Sequence, residues 1–314
     1  MPRVGFVTCT TWPEISASDE LVRTALADRG VTVEGRAWNG PVQDFDRFEA
    51  VILRSNWDYH HAIDAFAGWL DALDAAGARV WNPPALVRWN LSKRYLLDLA
   101  AAGVPTVPGV VLDGDAATRL RGVLAERRWS SAVVKPLVSA SAHDTALVLH
   151  GDADRVVEAL AAGTMRQPVL VQPFVEEIRT RGEWSVVFID GVPTHAVLKR
   201  PGPGEFRVQG HLGGSAEARP AEPAVLAAAR RALEALPVPP LYARIDGVET
   251  REGFWVMEVE VNEPDLFFTL ASQSCSSKSL PRATWPRYAR SSGSARPACT
   301  ATRDRGTAQR DWAS

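Results

Sequence analysis

Two stretches around residue 250 constrain this chain more than any others. Tyr242-Ala-Arg-Ile-Asp246 and Phe254-Trp-Val-Met-Glu-Val-Glu-Val-Asn262 both alternate in character, and side chains along a strand point alternately to opposite faces. Both therefore read as strands. In the first, Tyr242, Arg244 and Asp246 share a face opposite Ala243 and Ile245. In the second, Glu258, Glu260 and Asn262 share a face with Phe254 and Val256. Trp255, Met257, Val259 and Val261 point the other way. If the two strands pair, Arg244, Asp246, Glu258, Glu260 and Asn262 converge. Carboxylates on an inward face repel one another and lose hydration, so they need cations or protons. An oxygen-only set suits Mg²⁺, which keeps waters and bridges to phosphates. The plain alternative is a solvated face with Arg244 as counter-ion.

The rest of the chain is organised as strands alternating with helices. Val4–Cys9, Val31–Val33, Val51–Leu53 and Val80-Trp81 are strand candidates, separated by helices over 19–29 and 62–76. That alternation predicts a parallel α/β domain over 1–88. A second α/β unit over 89–175 begins with a helix from Leu91 to Ala102, stopped by Gly103. It continues with strands 107–112, 132–135, 147–149 and 169–172. From 176 to 271 the pattern turns to hairpins, with Asp190-Gly191 as a strong two-residue turn. The fold class is thus α/β, becoming α+β toward the C-terminal part. The segment 272–314 holds eight Lys or Arg, two Asp and no Glu, leaving 27 basic and 35 acidic residues before it. Its Ser/Arg-rich composition cannot bury much surface, so it is expected to be disordered or a non-native tail. A nucleic-acid-binding arm is the alternative there.

The whole chain carries a net charge of −2 over 314 residues. That gives no reason to expect nucleic acid or an anionic membrane as partner. No apolar run reaches the length of a membrane span, and no secretory leader is recognisable. Cys9, Cys275 and Cys299 have neither metal-ligand nor redox spacing. A cytoplasmic protein is expected, and a homodimer stays open as its assembly.

Several further segments bear on chemistry. Lys135 ends the apolar strand Val133-Val-Lys-Pro136, and the small polar loop Ser139-Ala-Ser-Ala-His-Asp-Thr145 follows, with Ser139 and Ser141 able to surround phosphates. It is not a Walker loop. Lys93 lies early in the predicted helix over 91–102. Val169-Leu-Val-Gln-Pro-Phe-Val175 runs into a Pro-broken segment whose backbone groups an adenine edge could use. Glu183 could accept from ribose hydroxyls. Gly202 to Gly214 joins glycines to Arg207 and His211, and a cationic arginine on a mobile loop suits a transferring phosphoryl group.

In this order the motifs resemble the ATP-grasp superfamily, nearest its glutathione synthetase and ribosomal-protein-S6 modification branch. They are the helix lysine, Val-Lys-Pro, the small-residue loop, Gln-Pro-Phe-Val, Gly-Glu-Phe-Arg, Arg-Ile-Asp and Glu-x-Glu-x-Asn. Arg54-Ser-Asn-Trp-Asp-Tyr59, Asn262-Glu-Pro-Asp-Leu-Phe-Phe268, the Val-Ser-Ala-Ser-Ala loop and His195…Lys199-Arg200 are similar to the subgroup of the O-ureido-serine cyclo-ligase of cycloserine biosynthesis. The resemblance implies an N-terminal domain over 1–88 and two α+β lobes, 89–175 and 176–271, enclosing ATP. It implies that Lys93 and Lys135 contact ATP phosphates, with Ser139, Ser141 and Lys199 also on the nucleotide. Gln172, Phe174 and Val175 would form the adenine hinge, and Glu183 would bind ribose. Asp246, Glu260 and Asn262 would hold Mg²⁺, with Mn²⁺ as the alternative ion and Glu258 ranked behind them. Arg207 and Arg244 would serve catalysis. The implied activity is an ATP-dependent ligation of a small-molecule carboxylate to an amine-type nucleophile through an acyl phosphate, by cyclisation or between two molecules. The carboxylate is expected near Arg54–Tyr59 and the 202–214 loop. The alternative function is a Mg-ATP-binding protein of the same fold without ligase activity.

Overall fold

A computed structural model describes residues 1–149 and 153–274. The tail expectation falls almost entirely outside the described residues. The first sheet takes β1 (Arg3–Thr8), β2 (Thr32–Ala37), β3 (Ala50–Leu53) and β4 (Val80–Trp81), in the order β2-β1-β3-β4, every pair parallel. Helix α1 (Ala17–Ala27) starts where Ser16 Oγ accepts the Asp19 N–H at 3.1 Å, an N-cap of the usual kind. Its Leu26 packs with Phe6 and Val33. Helix α2 (Ile63–Ala75) carries Phe66, Trp69, Leu70 and Leu73 at helical spacing against Trp38, Phe45, Val51 and Leu53.

Of the helix expected over 91–102 only α4 (Tyr95–Ala101) forms, and a separate helix, α3 (Pro84–Asn90), ends just before it. The Lys93 N–H donates to Leu137 O at 2.8 Å instead of continuing a helical ladder. Lys93 therefore sits on a turn, tied to the segment that follows the Val-Lys-Pro strand.

The second sheet contains β5 (Val110–Leu112), β6 (Ala132–Pro136), β7 (Ala146–Val148) and β8 (Val169–Pro173), in the order β5-β8-β6-β7. Every neighbouring pair in this sheet is antiparallel. Helix α5 (Ala116–Arg127) joins β5 to β6 and α6 (Asp154–Ala161) joins β7 to β8. Each crossover links strands running the same way but skips one strand, which is filled from the opposite direction.

After the short α7 (Glu177–Thr180) comes the third sheet. It holds β9 (Glu183–Ile189), β10 (Val192–Arg200), β11 (Ser215–Ala218), β12 (Tyr242–Thr250) and β13 (Gly253–Glu260), antiparallel throughout, in the order β11-β10-β9-β12-β13. Helix α8 (Pro223–Glu234) buries Val225, Ala229 and Ala232 in a core shared with Val186, Ala243 and Ile245 of the sheet, leaving the Asp246 face open. Helix α9 (Phe268–Ser274) ends the described chain. No described helix is long and apolar enough to cross a membrane.

One strand corrects the alternation drawn above. Asp246 pairs with Glu258, but Gly247 pairs with Val256. Met257 is the extra residue of a β-bulge, and a bulge reverses which face each side chain takes. Phe254 and Val256 therefore join Val259 and Val261 in the core, rather than sharing the glutamate face. Trp255 and Met257 pack instead with Val107, Val175 and Val208. The bulge brings Phe254 so close to β12 that a Cβ on Gly247 would meet Phe254 Cζ at 2.3 Å and Trp255 O at 2.6 Å. Gly68, exposed within α2, would meet nothing within 4 Å. Gly247→Ala should therefore destabilise by about 1–3 kcal/mol. Gly68→Ala should stabilise by about 0.5–1 kcal/mol. Urea unfolding of both variants checks the pair, and equal effects would refute the assigned role of the bulge.

Candidate active site

The pairing of β12 with β13 sets Arg244 opposite Glu260 and Asp246 opposite Glu258. One oxygen from each of Asp246, Glu258 and Glu260 lies within 4.8 Å of the others. The protein offsets this charge with its own cations. Arg244 donates to Asp246 through Nε (3.0 Å) and Nη2 (2.9 Å), and Nη2 also meets Glu260. Lys199 Nζ donates to Glu183 at 2.6 Å and to Asp246 at 3.2 Å, and Ser185 Oγ donates to Asp246 at 2.7 Å. Lys93 Nζ lies 3.5 Å from Glu258.

The balance is uneven. Burial pushes Asp246 up, but the charges of Arg244 and Lys199 outweigh it and hold the carboxyl at about 2. Burial pushes Glu260 up to about 8, with Arg244 opposing and with Glu258 and Asp246 adding to the rise. Glu183 is also raised by burial, against the pull of Lys199. The face is thus one positive charge short of holding all its carboxylates ionised, and a proton or a cation must supply it.

This face forms one wall of a cavity of about 470 Å³. Lys93, Lys135, Ser139 and Ser141 line it too, as do Glu183, Lys199 and Arg207. Lys135 has no hydrogen bond or ion pair from Nζ among the described residues, and burial brings it down to about 8. Lys93 Nζ is held by Ser139, through the carbonyl at 2.8 Å and Oγ at 3.2 Å. Arg207 is turned onto Glu205, with Nε and Nη2 at 3.1 and 2.7 Å from its carboxylate. The loop between β6 and β7 has no glycine, yet Ser141, Ala142 and Asp144 have φ of 52°, 57° and 56°. Left-handed backbone at non-glycine residues costs on the order of 1 kcal/mol each.

Four predicted residues do not line the cavity. Gln172 is buried and its Nε2 donates to Val107 O at 2.9 Å. Phe174 stacks edge-on to the cavity residue Phe206, with centroids 6.0 Å apart, and its N–H is taken by Ser131 O. Val175 packs beside Val107, Ile178 and Val208. Asn262 Oδ1 accepts from Asn56 Nδ2 at 3.1 Å, while Asn262 Nδ2 and Asn56 Oδ1 are buried without a partner.

Sequence reasoning missed what the Asn262–Phe268 segment does. Its carbonyls are gripped in succession by side chains from two sheets. Tyr242 Oη sits 2.9 Å from Asn262 O. Trp57 Nε1 donates to Glu263 O at 3.3 Å, Arg54 Nη2 to Pro264 O at 3.0 Å, Arg244 Nη1 to Asp265 O at 3.0 Å and His195 Nε2 to Leu266 O at 2.7 Å. The Arg54–Tyr59 motif thereby divides. Arg54 is buried on Asp19 at 2.8 Å and braces the strap, whereas Trp57 and Tyr59 reach the cavity together with Glu263, Asp265 and Phe267. The signal for this was the co-occurrence of the two motifs, which docking explains.

Residues 4–82 match the family described as D-cycloserine synthetase DcsG, N-terminal domain, and residues 110–237 match prokaryotic glutathione synthetase, ATP-grasp domain. Over 260 residues the chain is 34% identical to the cycloserine biosynthesis protein DcsG of Streptomyces lavendulae, covering 77% of this chain and 85% of that one. It is 30% identical over 179 residues to the glutathione synthetase of Parasynechococcus marenigrum (strain WH8102), 56% of this chain and 55% of the relative. The crystal structure of D-cycloserine synthetase DcsG superposes with a TM-score of 0.74 at 31% identity, covering 85% of this chain and 94% of that one. D-alanine–D-alanine ligase from Bacillus anthracis, at 14% identity, TM-score 0.66 and 87% and 92% coverage, shares the fold. The chain belongs to the ATP-grasp ligases, in the branch of the cycloserine biosynthesis protein DcsG, and is an ATP-dependent enzyme of carbon–nitrogen bond formation.

Proposed function

We propose that this ligase activates the carboxylate of a small serine-derived amino acid and closes it onto a nitrogen of the same molecule, as in the making of a cycloserine ring. The observation that carries the reading is one cavity holding both a carboxylate face, Glu183 included, that is one cation short and a lysine, Lys135, without a partner among the described residues. Likeness to a cycloserine biosynthesis protein supports the choice of substrate.

The residues present fit a divalent cation. Their donors are oxygens, the face lacks one positive charge, and the buried Asn262–Asn56 amide pair carries two orphaned atoms. Turning both amides would leave their mutual hydrogen bond and present Asn262 Oδ1 at the orphaned position. Asp246, Glu260 and Asn262 would hold Mg²⁺, with Glu258 beside them. When bound, Mg²⁺ would supply the charge that offsets the ATP phosphates.

The chain's own groups supply the rest. Lys135 and Lys93 bind phosphate oxygens, with Ser139 and Ser141 alongside. The backbone of Phe174 and Val175 meets adenine, Gln172 braces that hinge through Val107, and Glu183 accepts from ribose with Lys199 fixing its carboxylate. A substrate carboxylate oxygen attacks the γ-phosphorus and ADP leaves. The internal nitrogen then attacks the acyl carbon, phosphate leaves, and the nitrogen's proton passes to solvent. Arg207 leaves Glu205 to offset charge on the transferred group, and Arg244 keeps Asp246 and Glu260 in place. Positioning and charge carry most of such a reaction.

ADP release with O-ureido-serine tests this, measured beside a panel of other amino-acid carboxylates with and without added amines. Cycloserine formation is expected only with the first. Glu260→Gln and Arg207→Ala should each lower kcat by about 10²-fold or more. No turnover with any pair, alongside intact Mg-ATP binding, would instead favour a nucleotide-binding protein.

Lys135 also gives a stability prediction. Its folded pKa lies below the unfolded value of 10.5, at about 8. Charged Lys135 therefore destabilises the ligand-free protein fully below pH 8, and the penalty fades as pH rises toward 10.5. Lys135→Met should stabilise the ligand-free protein by about 1–3 kcal/mol at pH 7, with the gain shrinking above pH 8. It should also weaken ATP binding. Denaturant melts at pH 7 and pH 10, with and without Mg-ATP, check both halves.

A further inference from the structure

The charges lining the main cavity are mostly neutralised within the protein. Lys199 serves Glu183 and Asp246, Arg244 serves Asp246 and Glu260, Lys93 serves Glu258, and Arg207 is on Glu205. Asp265 is exposed and accepts the Phe267 N–H at 2.8 Å. Glu263 is different. It lines the cavity half-buried, it forms no ion pair among the described residues, and the donor it meets is its own backbone N–H. Lys93 and Arg244 act on it through space but are committed to other partners.

A half-buried carboxylate without a counter-charge is costly unless a ligand supplies one. Beside it stands Trp57, which also lines the cavity and is fixed by its Nε1 bond to Glu263 O at 3.3 Å. An indole ring next to a carboxylate is a favourable setting for an ammonium group. The carboxylates gathered within 4.8 Å of one another are Asp246, Glu258 and Glu260, and Glu263 stands apart from them.

We propose that Glu263 binds the ammonium group of the substrate that ring closure does not consume, with Trp57 shaping the wall, and so selects free amino acids over N-blocked ones. This rests on the ligase reading above, because it assigns the amino end of the molecule whose carboxylate that reading activates. Lys135 and Glu263 are then complementary. The first is the cavity cation left for phosphate, and the second is the cavity carboxylate left for the amine.

Calorimetric titration of the full chain, with Mg²⁺ and a non-hydrolysable ATP analogue present, tests the assignment. The probes are O-ureido-serine, serine and cycloserine, each also in N-acetylated form. The wild type should prefer the free amine at least tenfold. Glu263→Gln should lose that preference, binding the free amines at least tenfold more weakly, while the analogue's Kd stays within twofold. Retained discrimination in the variant would overturn the proposal. So would equal wild-type binding of free and acetylated forms, or no binding of any free amine while the analogue binds. Should Glu263→Gln fail to bind the analogue, Glu263→Asp repeats the comparison, and the wild-type preference alone can still overturn the idea. Selective binding without ADP release, once ATP replaces the analogue, would count against the ligase reading and leave this assignment standing.

Discussion

The structure turns on Arg244 holding Asp246 and Glu260 on a buried sheet face. Removing one partner from such a group leaves an uncompensated buried charge, typically a loss of about 3–5 kcal/mol. The same guanidinium donates to Asp265 O, which ties the face to the Asn262–Phe268 strap. Arg54 and Trp57 reach that strap from the first sheet, and Phe268 N–H donates to Ser18 Oγ at 3.0 Å. Asn82, at the end of β4, adds a second join. Its amide meets Leu241 N, Tyr242 O and Val261 O at 2.6 to 2.8 Å. Charge balance and the docking of the N-terminal sheet are therefore one network, and neither can relax alone.

Most cations of that network already have partners within the protein, which shapes how a ligand must enter. Arg207 leans on Glu205, Lys93 on Ser139, and Lys199 bridges Glu183 to Asp246. Each cation would exchange a protein partner for a phosphate or a metal-bound carboxylate rather than gain a first one. Exchange keeps the desolvation cost of binding low, since buried charges are never left bare. It also makes the exceptions informative: among the described residues, Lys135 and Glu263 have no ion-pair partner to give up.

Much of this was legible in the sequence, and the failures have physical causes. Period-two alternation brought Arg244, Asp246, Glu258 and Glu260 together correctly, because pairing of two adjacent strands is local. It misassigned Phe254 and Val256, because a bulge depends on which glycine lies across the ladder. Composition placed Lys93 in a helix, since nothing local announces that its N–H is taken by Leu137 O, forty-odd residues away. Helix–strand alternation over 110–173 left the strand order open, because the interleaving of two crossovers that makes the neighbours antiparallel has no local signal. Asn262 followed the glutamates in phase, yet β13 ends at Glu260 and the amide turns toward Asn56.

The bulge at Met257 is what lets one strand serve two masters. C-terminal to it, Glu258 and Glu260 face the cavity while Val259 fills the core. N-terminal to it, Trp255 and Met257 cover Val107, Val175, Ile178 and Val208, while Phe254 and Val256 fill the core. Were the same sequence paired in unbroken alternation, Phe254 and Val256 would lie on the cavity face beside Glu258. Trp255 and Met257 would then point into the core. Val256 N–H and C=O also bond to Pro105 O and Val107 N at 2.9 and 3.2 Å. The 105–107 segment, which Gln172 and Val175 meet through their side chains, is thus attached by backbone to the strand that carries the carboxylates. A shift of β13 would therefore be felt at Val107 and, through it, at Gln172 and Val175.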